Sequence, residues 1–183
     1  MRLILSICLV MAVGSCSEDV YFIPGTAQLP DCTEAPILDL EGTWFDRGTV
    51  TILSEGCDGA SPGEVFESCA LDWVFTQEGN DVTIIVDTEY RIEGRACGDQ
   101  LYLRGGWWLP VVDEDLGYCT YDDDSAEEVG ILQEGNVLTV MPDVPLAPGV
   151  EQTEDRMTGT LEVRGRCAGR YEVTFERSPV LLP

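Results

Sequence analysis

The 183-residue chain contains no histidine, and all ten of its basic residues are arginine. Catalytic triads built on His, Ser-Lys dyads, Schiff bases and histidine-liganded metals are therefore excluded. No two cysteines stand at Cys-x-x-Cys spacing, which removes the usual structural zinc sites as well. Positive charge is scarce: 34 Asp and Glu give a net charge of -24. So acidic a surface repels phosphate backbones, and nucleic acid is not expected as a partner. No apolar run approaches the roughly 20 residues that a membrane-spanning helix needs. Hydrolysis by paired carboxylates needs neither His nor Lys, but with so many acids no particular pair stands out. A chain that is not an enzyme is the leading expectation, with a carboxylate-dependent hydrolase as an alternative.

What is present begins at the N-terminus. Arg2 precedes a mainly apolar run from Leu3 to Val13, followed by Gly14-Ser15-Cys16. A short charged start, an apolar stretch and small residues form a secretory signal. Val13-Gly14-Ser15-Cys16 resembles the lipobox of bacterial lipoproteins. The resemblance implies that residues 1–15 are removed and that Cys16 carries diacylglycerol and a further acyl chain such as palmitate. It also implies, through Ser17, sorting to the outer membrane of the cell envelope. Two chains would anchor the protein firmly, which one does not. The membrane is then a partner through that lipid.

Of the eight cysteines, Cys8 falls in the signal and Cys16 at its end, leaving Cys32, Cys57, Cys69, Cys97, Cys119 and Cys167. An even number in an exported chain reads as a disulfide framework.

Residues 16–39 carry Pro24, Pro30 and Pro36 without sustained periodicity and read as a tether. From residue 40 to 178 the apolar period is two. Leu71, Trp73 and Phe75 share a face; so do Met157, Leu161 and Val163, and Tyr171, Val173 and Phe175. Alternation of this kind marks strands with one buried face. Val82, Ile84, Val86, Tyr90 and Ile92 keep one parity throughout, so residues 81–95 read as one long strand. The expected strands are 43–53, 70–77, 81–95, 100–108, 128–133, 136–141, 156–164 and 169–177. Gln77-Glu78-Gly79-Asn80 recurs as Gln133-Glu134-Gly135-Asn136, each expected to turn a hairpin. Residues 179–183 form a tail.

Sequential amphipathic hairpins hide their edges by closing on themselves. The predicted fold is all-β, an eight-stranded antiparallel up-and-down barrel, with a β-sandwich as the alternative. Gly42-Thr43-Trp44 resembles the Gly-x-Trp opening of lipocalin-like (calycin) barrels. That resemblance implies an arginine near the last strand packed over the tryptophan, and Arg177 is the matching residue.

The predicted strand path puts Cys57, Cys69, Cys97 and Cys167 at one end, and Cys32 and Cys119 at the other. The expected pairs are Cys32–Cys119, Cys57–Cys167 and Cys69–Cys97, with Cys57–Cys69 and Cys97–Cys167 as the alternative.

Inward parity collects Trp73, Phe75, Tyr90, Trp107, Tyr171 and Phe175 as candidate ligand-lining residues, in an interior that side chains fill or that holds one small ligand. Asp122, Asp123 and Asp124 could offer oxygens to Ca²⁺, but the loop lacks EF-hand order. A solvated acidic loop is the simpler reading, and neither metal nor cofactor is expected. These features predict a monomeric binding or structural module, with a small hydrophobic ligand as the candidate occupant. The alternative is a protein-binding or inhibitor module acting through its loops.

Overall fold

The computed structural model describes residues 21–22, 25–54, 61–67, 72–86, 90–108, 111–113, 118–120, 129–133, 135–145, 153–165 and 168–177. The strands are β1 (Tyr21–Phe22), β2 (Gly42–Ile52), β3 (Val65–Glu67), β4 (Asp72–Glu78), β5 (Asp81–Val86), β6 (Tyr90–Cys97) and β7 (Gln100–Arg104). They continue with β8 (Gly106–Trp108), β9 (Val111–Asp113), β10 (Tyr118–Thr120), β11 (Val129–Leu132), β12 (Val137–Pro145), β13 (Thr153–Arg164) and β14 (Gly169–Arg177). Among the described residues there is no helix.

Pairing runs β2-β4-β5-β6-β7-β12-β13-β14 and returns to β2, antiparallel at every step. This is a closed eight-stranded barrel, and the first and last of its strands pair from Gly169↔Ile52 to Arg177↔Trp44. That seam removes the sandwich alternative. Further strands lie outside the ring of eight. β3 pairs with β2 beyond β4, and β11 pairs with both β8 and β13.

Two sequence expectations need correction, and they offset each other in the strand count. Residues 81–95 are not one strand: β5 and β6 form a hairpin in which Val86 faces Tyr90. Directly opposed residues lie on the same face of a sheet. A three-residue connection between an even-numbered pair therefore keeps the parity, and the unbroken phase from Val82 to Ile92 carried no evidence against a turn.

Conversely, 128–133 and 136–141 are not neighbouring strands. β11 and β12 run in the same direction along β13, with Leu132 opposite Val163 and Val137 opposite Thr160. The Asn136 amide bridges the gap. Its Nδ2 donates to the Glu162 carbonyl at 2.7 Å, and its Oδ1 accepts from the Glu162 amide at 2.6 Å. Asn136 thus stands in for a backbone rung, and the side chain is buried. In the other copy of the repeat Glu78 pairs with Asp81, so Gln77-Glu78-Gly79-Asn80 does turn a hairpin.

The inward faces form one apolar core that includes Trp44, Trp73, Phe75, Ile84, Ile92, Leu101, Leu138, Met157, Leu161 and Phe175. Coiling the wall around so small an interior brings backbones close together. A Cβ on Gly48 would lie 1.9 Å from the Glu172 carbonyl oxygen, so only glycine fits there.

The segment read as a tether lies along the barrel where it is described. β1 runs parallel to β6, Tyr21 beside Tyr90, and Gly25 packs against the backbone of Gly105. Ala27 is buried. Arg95 Nη1 donates to the Pro30 carbonyl (3.4 Å), Asn80 Nδ2 to that of Glu34 (2.8 Å), and the Ile37 amide to that of Gly98 (3.0 Å). The Leu40 amide donates to Gln77 Oε1 at 2.8 Å. Residues 30–40 therefore form a strap across one end of the barrel, beside the turns at Gly79 and Gly98.

Cys32 fastens this strap to Cys97, with Cα atoms 5.4 Å apart. This replaces the expected Cys32–Cys119 and Cys69–Cys97 pairs, and it also removes Cys97–Cys167. The reason is the hairpin: with β5 and β6 antiparallel, Cys97 arrives at the strap end and not at the opposite end. Cys119 lies in β10, opposite Val112. Cys57, Cys69 and Cys167 lie outside the described residues.

Two outcomes follow. Asn136→Ala leaves the Glu162 amide without this partner and its carbonyl with only the Gln133 amide, and the chain should lose about 1–3 kcal/mol in urea unfolding. A peptide map under non-reducing conditions should link Cys32 to Cys97. Because that bond closes a loop with a sequence separation of 65, replacing both cysteines with Ala should remove about 4 kcal/mol on the chain-entropy account.

Candidate functional site in the barrel interior

At the strap end the interior holds large buried side chains. Trp44 is fully buried, and its indole Nε1 donates to the Leu40 carbonyl at 2.9 Å. The Arg177 guanidinium lies over the Trp44 ring, 4.8 Å from its centroid. Nη1 of Arg177 pairs with Asp155 Oδ2 at 3.2 Å, and Nη2 donates to the Asp39 carbonyl. A partly exposed cation over an indole is worth about 1 kcal/mol, and here it also ties the strap to the last strand. Trp44 and Phe75 are in tilted contact at 6.0 Å.

Above this floor the aromatic set continues. Trp73 and Phe175 meet edge to face, with centroids 4.8 Å apart and planes at 75°. Trp73, Phe75, Tyr90 and Phe175 are all buried, and Tyr171 is partly buried against the same cluster. Five of the six sequence-derived lining residues thus line one interior. The side chain of the sixth, Trp107, is outside the described residues; its backbone in β8 pairs with Gly130.

Sequence reasoning passed over Asp46. It lies on β2 between Trp44 and Gly48, opposite Phe175, and is only 5% exposed. Among the described residues it is the one buried ionisable acid or base other than tyrosine. The signal was available, because Asp46 shares its parity with Trp44, Val50 and Ile52, the apolar face of its strand. Its charge reaches Tyr171: burial first, and the negative charge of Asp46 second, push the phenol well above its ordinary value of 10.0. At neutral pH Tyr171 therefore keeps its proton. It is a hydrogen-bond donor placed near an acidic acceptor, in a mainly apolar interior.

The outer wall neutralises its own positive charge. Every described arginine has a carboxylate within ion-pair distance: Arg47, Arg91, Arg95, Arg104, Arg156, Arg164, Arg170 and Arg177. Most of these pairs are solvent-exposed and add little stability individually, but they leave the surplus of acids as the net field of the molecule.

Cys16 and the calcium candidates Asp122, Asp123 and Asp124 lie outside the described residues. Among the described residues, no group of three or more Cys, Asp or Glu is placed to hold a metal ion. None of them forms a helix long and apolar enough to cross a membrane. No family model, curated protein or solved structure matches the chain.

The raised Tyr171 pKa sets a pH dependence. In the unfolded chain this phenol ionises near 10.0, whereas in the fold it holds its proton to higher pH. Its stabilising contribution is complete below pH 10 and is lost as pH rises beyond it. Tyr171→Phe should flatten that part of an alkaline stability profile measured by urea midpoint.

Proposed function

We propose that the chain is an exported binding module, anchored at Cys16 to the outer membrane, whose barrel holds a small apolar molecule with one polar, hydrogen-donating or cationic group. Support for export comes from the N-terminal signal pattern and from the Cys32–Cys97 pair, since disulfides persist in oxidising compartments. Support for binding rests on one observation above all: a buried carboxylate, Asp46, faces inward beside Tyr171 and the Trp73–Phe175 pair.

A carboxylate drawn out of water is expensive to hold, and an apolar residue of similar volume is commonly neutral or stabilising in its place. Besides the interactions that it makes within the protein, an acid at this position offers an acceptor to the donor group of a ligand. Small-molecule sites share this composition, with mostly apolar and aromatic lining and a few polar groups that fix orientation. The lipocalin-like resemblance of Gly42-Thr43-Trp44 with Arg177 points the same way.

The test separates fold from binding. Asp46→Leu should leave the urea midpoint unchanged or raise it, by up to about 4 kcal/mol in stability. The same change should weaken binding of a neutral apolar amine fluorophore, N-phenyl-1-naphthylamine, by tenfold or more (about 1.4 kcal/mol). Binding would be read through quenching of tryptophan emission, and native mass spectrometry of the exported domain would look for a co-purified ligand. A stable variant that binds the probe as well as the parent would rule out Asp46 as a recognition group.

A further inference from the structure

The path of the N-terminal segment gives the barrel an orientation. β1 is parallel to β6, with Tyr21 beside Tyr90 and Phe22 beside Arg91. On its other edge, at the same level, β6 is paired with β5 through Val86↔Tyr90 and Ile85↔Arg91. The chain therefore comes onto the wall at the level of Tyr90 and runs with β6 toward Cys97. There Cys32 is fastened, and the strap turns under the barrel to reach β2. Entry is at the end remote from the strap, the rim that carries Ile52, Leu53 and Tyr171.

Only five residue steps separate Cys16 from Tyr21. Fully extended they reach about 18 Å, and as a flexible chain they average about 12 Å. The seven steps of β6 from Tyr90 to Cys97 cover about 23 Å along the strand, or about 18 Å along the axis of a barrel tilted at roughly 40°. With the strap end toward the bilayer, the tether would have to be stretched to its limit. With the rim toward the bilayer it need not be stretched at all.

We infer that the rim end of the barrel faces the bilayer to which Cys16 is anchored. This rests on the lipid anchor proposed above. Leu53 and Val65, at 40% and 60% exposure, are two of the four large apolar residues exposed among those described, and both lie at this rim. They are neighbours through β2: Val65 is opposite Thr51, and the Ile52 amide donates to the Glu64 carbonyl at 3.0 Å. The net charge of -24 opposes insertion into an anionic surface. The rim is accordingly held near the headgroups by the tether and does not sink below them.

The experiment uses the full chain, matured and acylated in cells, in phosphatidylcholine nanodiscs that contain a gadolinium-chelating lipid. Relaxation enhancement is read at backbone amides of the rim (Ile52, Leu53, Ala168) and of the strap end (Gly79, Gly98, Gln100). Enhancement at the rim should exceed that at the strap end by about tenfold or more, given the barrel's length. A 20-residue Gly/Ser insertion after Ser17 should abolish the difference. Equal enhancement at both ends, or a stronger effect at the strap end, in protein whose intact mass shows the acyl chains, would overturn the orientation and leave the anchor standing. An intact mass without acyl chains would remove the anchor and the orientation together. A gradient that survives the insertion would show that the short tether is not its cause.

Discussion

Pairing of the first wall strand with the last is the constraint on which the rest of this structure depends. Without the β2–β14 seam, two strands would present bare edges and the inward aromatics would have nothing to enclose. The seam also places Trp44 beside Arg177. Strap, first strand and last strand are thereby locked through the Asp39 and Leu40 carbonyls and the Asp155 carboxylate. Closure and capping are thus one event at one end. Toward the opposite rim, Tyr171 and Val50 are less deeply covered.

Two asparagines from a repeated tetrapeptide show how little a local motif specifies. Asn80 sits at a hairpin turn and uses its side chain to hold the strap and the last rungs of β6, donating to the carbonyls of Glu34 and Ala96. Asn136 sits in an interruption between two collinear strands and mimics a peptide unit for Glu162. Both positions reward an amide with donor and acceptor on one short arm. The difference lies in what the following strand finds to pair with: β5 folds back on β4, whereas β12 continues along β13.

The interior is divided along the barrel axis. Toward the strap, tryptophan and phenylalanine fill the space. Beyond this floor, Asp46, two residues along its strand from Trp44 and opposite Phe175, and Tyr171, nearer the rim, introduce an acceptor and a donor into a mainly apolar enclosure. The proposed binding role rests on these two polar groups, and the proposed orientation on the path of the N-terminal segment.

The sequence by itself determined that the chain is all-β, that its strands present one apolar face, and that wall-closing partners wait at Trp44 and Arg177. Alternation of hydrophobicity reports which face is buried, because successive side chains point to opposite sides. It also listed most of the aromatic lining. It did not distinguish a bent strand from a hairpin at 87–89, nor a hairpin from an interrupted strand at 133–136, since parity survives both. The first choice was made by the pairing of β5 with β6, which fixed the direction of β6 and hence the Cys32–Cys97 pair; the second was made by partners distant in the chain, Thr160 and Glu162. Asp46 was legible by parity alone, but its meaning was not. Only the closed wall removed its water and brought it close enough to Tyr171 for charge to matter, because electrostatic coupling grows as the solvent between groups is excluded.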